Sequence, residues 1–185
     1  MKQTPPGRDM IFGIRAIMEN ILAGNEIDKL MVQKGLSNPS LKELIRTARQ
    51  HNVPVVQVPI EKLNRVTRKN HQGAIAMMSS VTFASLDNII NEVYGKGEEP
   101  FLLILDRVTD VRNFGAIARS AECAGIHGLI IPSRGSAAIN SDAMKTSAGA
   151  LGYIPVCRED NIKTTLEYLK NSGIRILACT EKTED

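Results

Sequence analysis

The stretch that decides the fold of this 185-residue chain is Phe101-Leu-Leu-Ile-Leu-Asp-Arg-Val-Thr-Asp-Val-Arg-Asn-Phe-Gly-Ala-Ile-Ala-Arg-Ser-Ala-Glu-Cys-Ala-Gly125. It opens with an unbroken apolar run, whose length and abrupt ends predict a strand buried on both faces. A polar loop follows, and then a segment with helical periodicity that Asn113 would cap and Gly125 would close. The stretch therefore predicts a strand–loop–helix unit in a parallel α/β sheet.

The loop Asp106–Arg112 leaves the carboxyl end of this strand, the edge at which open α/β sheets bind ligands. The helix that follows begins with free N–H groups and a partial positive charge, which suit a phosphate. Gly115 and Arg119 are four residues apart and share a helix face. We expect the Arg119 guanidinium to run back over the bare glycine toward a phosphate or ribose oxygen. The alternative is that Arg119 pairs with Asp106 or Asp110 and only fixes the loop.

Strands and helices alternate on both sides of this stretch. Upstream, the patterns predict helices over 11–22, 39–50 and 60–65 and strands over 27–32, 53–58 and 75–81. Downstream, they predict strands over 128–131, 153–157 and 174–179 and helices over 141–149 and 162–172. A predicted helix over 85–94 and an aperiodic segment at 95–100 lie between the halves. We therefore expect a small α/β domain at 10–83, a linker at 84–100 and a mainly parallel domain at 101–185.

Composition limits the classes of function. With 43% hydrophobic and 23% charged residues, the chain has an ordinary globular composition. Aromatic residues make up only 4%, which disfavours a single-strand binder that stacks bases on many rings. The chain has no GxGxxG and no GK[ST], so neither a dinucleotide fold nor a P-loop is indicated.

The three cysteines lie far apart and show no metal-ligand spacing. We therefore expect no metal site, and reduced thiols in a cytoplasmic protein. No apolar stretch is long enough to cross a bilayer, so we expect no membrane partner.

The most basic part of the chain is Lys62-Leu-Asn-Arg65-Val-Thr-Arg68-Lys69-Asn-His71, here called the basic stretch, which has four Lys or Arg residues and no acid. Such a run can neutralise RNA phosphates. It can also be a solvated surface loop, and the formal net charge of +3 does not decide between the two.

The residues from Leu105 to Gly125 resemble motif 1 of the SpoU, or TrmH, family of RNA ribose methyltransferases, which reads Asp–x–Val–x–Asp, Asn–x–Gly–Ala, Arg–Ser–Ala and a final Gly. Three further segments are similar to the family: Lys145-Thr-Ser-Ala-Gly-Ala150 with Ile154-Pro-Val156, His71-Gln-Gly73 before a strand, and Phe12-Gly-Ile14 before a helix. The resemblance spans nearly the whole chain and is closest to the bacterial members that methylate a guanosine of 23S ribosomal RNA. One departure is Arg107, where close members often carry Gly.

The resemblance implies a ribosomal-protein-like RNA-binding domain, followed by a SPOUT-type domain whose C-terminal trefoil knot holds S-adenosylmethionine. The implied reaction moves a methyl group from S-adenosylmethionine to a ribose 2′-hydroxyl of RNA, 23S ribosomal RNA in the closest members, and the implied assembly is a homodimer. Arg119 would be the catalytic residue, and Asn113 would position Arg119 or the ribose, or simply cap the helix. Contacts to RNA are expected from Arg65, Arg68, Lys69, His71, Arg112 and Lys145, and contacts to the cofactor from Thr180 and Glu181.

Two later motifs of the family, a Gly–x–Glu loop and an Ile–Pro–Met … Ser–Leu–Asn segment, are absent from the 185 residues. In the family they supply most of the cofactor pocket and the knot. We therefore expect a SPOUT domain truncated at its C-terminus, and a chain that is inactive as it stands. The alternatives are a non-catalytic RNA-binding module and a small-molecule α/β enzyme of another class, which the missing phosphate loops disfavour.

Overall fold

The computed structural model describes residues 10–179, which form two four-stranded sheets with helices packed on their faces. Residues 10–78 carry the first sheet and are called the first unit below. Residues 83–179 carry the second sheet and are called the second unit, and residues 79–82 form the junction. None of the helices in the described range has the length and apolar character needed to span a bilayer.

The first unit is a mixed sheet between two layers of helix. Its elements are β1 (Met10–Phe12), α1 (Ile14–Leu22), β2 (Ile27–Gln33), α2 (Pro39–Gln50), β3 (Val55–Val58), α3 (Ile60–Val66) and β4 (Ala74–Met78). The strand order is β1-β4-β2-β3, with β2 and β3 parallel and the other pairs antiparallel. Apolar residues of α1 and α2 pack on one face of the sheet, and Leu63 of α3 packs on the other.

The second unit is a parallel sheet, which confirms the predicted fold class. Its elements are β5 (Phe83–Ala84), α4 (Leu86–Gly95), β6 (Leu102–Ile104), α5 (Val111–Cys123), β7 (Gly128–Pro132), α6 (Ser141–Thr146), a 3-10 helix (Ala150–Gly152), β8 (Val156–Glu159) and α7 (Ile162–Asn171). The strand order is β5-β8-β7-β6, and all three pairings are parallel. Leu129 and Ile131 of β7 face α5 and α6, whereas Ile130 between them faces α4 and α7.

Three sequence predictions were wrong in this unit. The strand expected to be buried on both faces, β6, lies at the edge of the sheet. Among the strands in the described range it pairs with β7 alone, and its residues are only half-buried. Helix α5 begins at Val111 because Asp110, not Asn113, caps it: the Asp110 carboxylate accepts a hydrogen bond from the Asn113 N–H at 2.7 Å. Residues 174–179 form no strand, because they pair with none of the strands in the described range.

Residues 84–100, expected to be a linker, contribute a strand residue and a helix to the second unit. Strand β5 pairs with β8, and the apolar residues of α4 lie in the core between the sheet and α7. The connection between the two sheets is instead the junction, where Ser79 forms a tight turn through hydrogen bonds of its hydroxyl to Val81. We therefore propose that the domain boundary lies at residues 79–82.

Candidate functional site

The loop between β6 and α5 has a well-defined shape. It includes Arg107 in the left-handed region, with φ of 56°, a conformation that favours glycine. The Arg107 side chain pairs with Asp106 at 3.3 Å on the exposed surface, and the carbonyl of Val108 accepts a hydrogen bond from the Ala137 N–H at 2.8 Å. The loop is thus tied to the segment that follows β7.

The space above Gly115 is filled by protein, which contradicts the predicted path of Arg119. A Cβ atom at Gly115 would lie 2.7 Å from Cβ of Thr146, 2.9 Å from the carbonyl oxygen of Ala143 and 3.0 Å from the backbone nitrogen of Ser147. The glycine therefore allows α5 and α6 to approach closely, and it does not leave a track for a guanidinium. Arg119 reaches solvent beside this contact.

Arg119 is exposed and makes no hydrogen bond or ion pair with any residue of the 10–179 range. The alternative in which it fixes the loop is therefore wrong, because Asp106 pairs with Arg107 and Asp110 caps α5. An exposed arginine without a protein partner keeps all five N–H donors available for an external oxyanion.

Arg112 shares the exposed face of α5 with Arg119. Seven residues make almost two full helical turns, so the two side chains leave the helix in similar directions about 10 Å apart along its axis. Asn113 is also exposed, but it lies about 120° around the helix from Arg119. The geometry therefore groups Arg112, rather than Asn113, with Arg119.

Helix α6 places Lys145 in an exposed position on the helix that packs against α5. The residues after it have a structural role. The Ser147 hydroxyl is buried, donates to the Met144 carbonyl at 2.9 Å and accepts from the Leu151 N–H at 3.4 Å. Ala148 and Gly149 follow in the left-handed region and turn the chain into the 3-10 helix.

The basic stretch lies on the first unit, at the end of α3 and in the loop after it. Arg65 and Arg68 are exposed and line a surface depression of about 810 Å³. Lys69 is exposed as well, and its ammonium group lies 5.7 Å from the centre of the Phe12 ring. The side chains of these three residues are therefore accessible to a ligand in solution.

His71, also expected to contact RNA, differs from these three residues because its ring is engaged within the protein. Only 8% of the residue is exposed. Its Nδ1 accepts a hydrogen bond from the Gly73 N–H, and its Nε2 contacts Oδ1 of Asn64, each at 3.0 Å. Next to it, Gln72 accepts a hydrogen bond from the Ile14 N–H at 3.2 Å and so caps α1. The His–Gln–Gly segment holds the first unit together and leaves no ring nitrogen for a ligand.

One polar residue at the boundary between the units escaped the sequence analysis. Arg158 of β8 contacts backbone carbonyl groups of the first unit across a cleft of about 830 Å³. A single arginine at the end of a strand gives no periodic or motif signal, so only the three-dimensional structure reveals it. Thr180 and Glu181, expected to contact the cofactor, lie outside the described residues.

Two family models match the chain. The model of the SpoU rRNA methylase family matches residues 100–185, and a model described as RNA 2′-O ribose methyltransferase substrate binding matches residues 10–84. YacO of Bacillus subtilis (strain 168), whose name places it among TrmH family tRNA/rRNA methyltransferases, is 32% identical over 169 residues, or 91% of this chain and 68% of YacO. This chain belongs to the SpoU, or TrmH, family.

A second relative comes from Staphylococcus aureus (strain MSSA476) and carries the same family name. It is 32% identical over 164 residues, which cover 89% of this chain and 66% of that protein. The chain thus spans about two thirds of the length of these curated relatives. Among solved structures, it resembles the SpoU methyltransferase AviRb from Streptomyces viridochromogenes in complex with AdoMet, with 22% identity, a TM-score of 0.41, and coverage of 89% of the chain and 58% of AviRb. It also resembles an AdoMet-bound rRNA methyltransferase from Sinorhizobium meliloti, with 21% identity, a TM-score of 0.42, and coverage of 87% of the chain and 57% of that protein. The family assignment rests on the sequence matches.

Proposed function

We propose that the protein transfers a methyl group from S-adenosylmethionine to a ribose 2′-hydroxyl of RNA, and that this chain holds the RNA side of the site. The observation that carries the proposal is Arg119, which is exposed, has no partner in the described residues and shares its helix face with Arg112. The family membership supports the reaction class. Because the chain spans about two thirds of its relatives, the activity is proposed for the protein in its full length.

The two arginines would orient the substrate. A guanidinium is planar, permanently charged and able to donate two parallel hydrogen bonds, so Arg112 is suited to a phosphate. Arg119 would hold the phosphate and the attacking ribose oxygen, and would stabilise the negative charge that develops there. A guanidinium is a poor general base, so alignment and charge stabilisation are the main contributions proposed for Arg119.

The concave surface beside α5 offers S-adenosylmethionine few polar partners. The concave surface that touches α5 measures about 390 Å³, and Ser120 is the one polar side chain among its lining residues. Such a lining offers almost no partners for the amino and carboxylate groups of the cofactor's methionine part. We propose that Thr180 and Glu181 contact the cofactor.

We expect the basic stretch to bind the RNA at a distance from the reacting ribose. We expect the triple variant Arg65→Ala, Arg68→Ala, Lys69→Ala to weaken RNA binding by the 185-residue chain. We also expect it to reduce the slope of log K against log salt by about 2–3, because each lost phosphate contact removes about 0.7–0.9. Filter binding of a fragment of 23S ribosomal RNA at several salt concentrations measures both.

The matched control removes three exposed basic residues from the second unit, with the substitutions Lys163→Ala, Lys170→Ala and Arg175→Ala. The control has the same net charge as the triple variant, so it should keep the salt slope of the wild type. Equal losses in the two variants would show that binding depends on net charge and not on the basic stretch.

Arg119→Ala in the full-length protein should abolish methyl transfer while the fold stays intact. Arg119→Lys keeps the charge but loses the fork, so it should retain a small fraction of the rate. Near-normal turnover of Arg119→Ala would overturn the assignment. The product decides between ribose and base methylation, because a 2′-O-methyl group protects the adjacent phosphodiester from alkaline hydrolysis and a base methyl group does not.

The finer parts of the proposal are 23S ribosomal RNA as substrate and a homodimer as the active assembly. Both are expectations from the family resemblance. Activity on 23S compared with transfer RNA tests the first, and light scattering of the full-length protein tests the second. Calorimetric titration with S-adenosylhomocysteine separates an enzyme from a non-catalytic RNA-binding module, since only the enzyme requires a cofactor site.

A further inference from the structure

Arg158 belongs to the second sheet but binds the first unit. It lies in β8, and its Nη1 donates hydrogen bonds to the carbonyl oxygens of Ile27 at 3.2 Å and Asp28 at 2.9 Å. Its Nη2 donates to the carbonyl oxygen of Asn52 at 3.3 Å. Ile27 and Asp28 begin β2, whereas Asn52 follows α2, so one guanidinium joins two separate segments of the first unit.

The same guanidinium is held in place by an aromatic ring. Its carbon lies 3.9 Å from the centre of the Phe83 ring, and Phe83 begins β5 directly after the junction. Stacking on a ring fixes the plane of the guanidinium and hence the directions of its donors. Burial lowers the pKa of Arg158, and nearby Asp28, Glu26 and Asp160 oppose that effect. Three carbonyl acceptors, a ring and carboxylates together compensate for the removal of this charge from water.

Carboxylates of the first unit accept hydrogen bonds from backbone N–H groups of the segments that follow it. Asp28 accepts a hydrogen bond from the backbone N–H of Ile139, and Glu26 accepts one from that of Phe83. The Ser80 N–H also donates to the Ile139 carbonyl at 2.8 Å. These contacts and Arg158 form what we call the seam between the two units.

The orientation of the units matters for the proposed reaction. The basic stretch lies on the first unit, and Arg112 and Arg119 lie on the second. A four-residue junction permits many relative orientations, and an interface within one chain does not by itself exclude motion between its domains. Under the proposed function, RNA bound by the basic stretch has to present its ribose to Arg119, so the reaction depends on the relative orientation of the two units.

We propose that Arg158 is a positioning residue. Its guanidinium forms hydrogen bonds across the seam and holds the first unit at the angle that brings the target ribose to Arg119. The catalytic half of this statement rests on the proposed function, whereas the structural half does not. A misplacement of about 1 Å at a reacting group can lower the rate by about 100-fold, so a loosened seam reduces turnover without touching the RNA contacts.

The structural half is tested on the 185-residue chain by residual dipolar couplings of its backbone amides. In the wild type, one alignment tensor should fit both units. Arg158→Met removes all donors but keeps most of the volume, and should require two different tensors. Arg158→Lys retains a charge without the fork and should give an intermediate result; it also serves if the Met variant folds poorly. The control is Arg134→Met, an exposed arginine after β7, which should keep one tensor.

The catalytic half is tested on the full-length protein by the split between kcat and KM. We expect Arg158→Met to lower kcat by about 10- to 100-fold with KM for RNA nearly unchanged, and Arg158→Lys to recover part of it. One shared tensor in the Met variant overturns the role of Arg158 in fixing the orientation of the units. Separate tensors with an unchanged kcat overturn the positioning role. A wild type without methyl transfer overturns the proposed function, and the tensors then still decide the seam.

Discussion

The close contact between α5 and α6 makes a quantitative prediction for Gly115→Ala. In an exposed helix, replacing glycine by alanine stabilises a protein by up to about 1 kcal/mol. Here the new methyl group would lie 2.7–3.0 Å from three atoms of α6, two of them backbone atoms. Those two atoms, the Ala143 carbonyl and the Ser147 N–H, also form a hydrogen bond with each other at 2.9 Å. The methyl group can be accommodated only by moving a turn of helix.

Overpacking of a well-packed core costs about 1–3 kcal/mol, so the net change should be a destabilisation of about 1–2 kcal/mol. The measurement is urea denaturation, with a thermal midpoint expected to fall by about 2–4 °C per kcal/mol. The matched control is Gly95→Ala at the end of α4, where a Cβ atom would meet nothing within 4 Å. That variant should be as stable as the wild type or more stable. If Gly115→Ala behaved like Gly95→Ala, the close approach of the helices would be refuted.

Two further predictions concern buried polar groups. His71→Ala should destabilise the protein by about 1–3 kcal/mol, because it leaves two hydrogen-bonding partners of the ring unpaired. RNA binding should not change when it is measured under conditions in which the variant is folded. A selective loss of binding would contradict the structural role. Burial raises the pKa of Asp28 above its ordinary 3.8, so the folded state binds this proton more tightly than the unfolded chain and loses stability as pH rises through that range. The stability of Asp28→Asn relative to the wild type should therefore increase from pH 3.5 to pH 7, as measured by urea denaturation at both pH values. The exposed control Glu167→Gln should show no such trend.

Local patterns identified the regular elements well. Helix α2 has the predicted bounds, because Asn38 caps it, Pro39 starts it and four buried residues follow at helical spacing. Strand β7 was found from its apolar run, and it is fully covered on both faces. In each case the signal lies within a dozen residues, where propensity, capping and periodicity agree.

The features that the patterns did not identify depend on distant partners. Strand β6 has the same kind of apolar run as β7, but it lies at the edge of the sheet, and only the strand order distinguishes the two. The glycine at 115 suggested space for an arginine, whereas α6 fills that space. His71 lies in a basic run, yet its ring turns inward to Gly73 and Asn64. A pattern in the sequence shows which residue types are present, but not which distant segment packs on them.

The strand order also determines how much of each sheet exists as the chain leaves the ribosome. The last strand of the first sheet, β4, is complete at Met78, so the first unit can fold while most of the second is still unmade. The second sheet cannot be completed before β8 is made, because β8 lies between β5 and the other two strands of that sheet in the described range. Arg158 lies in β8 itself, so its hydrogen bonds to the first unit can form only when synthesis has nearly reached the end of the second sheet. The contacts of Glu26, Asp28 and Ser80 across the seam can form earlier, so the Arg158 guanidinium is the last part of the seam to be completed.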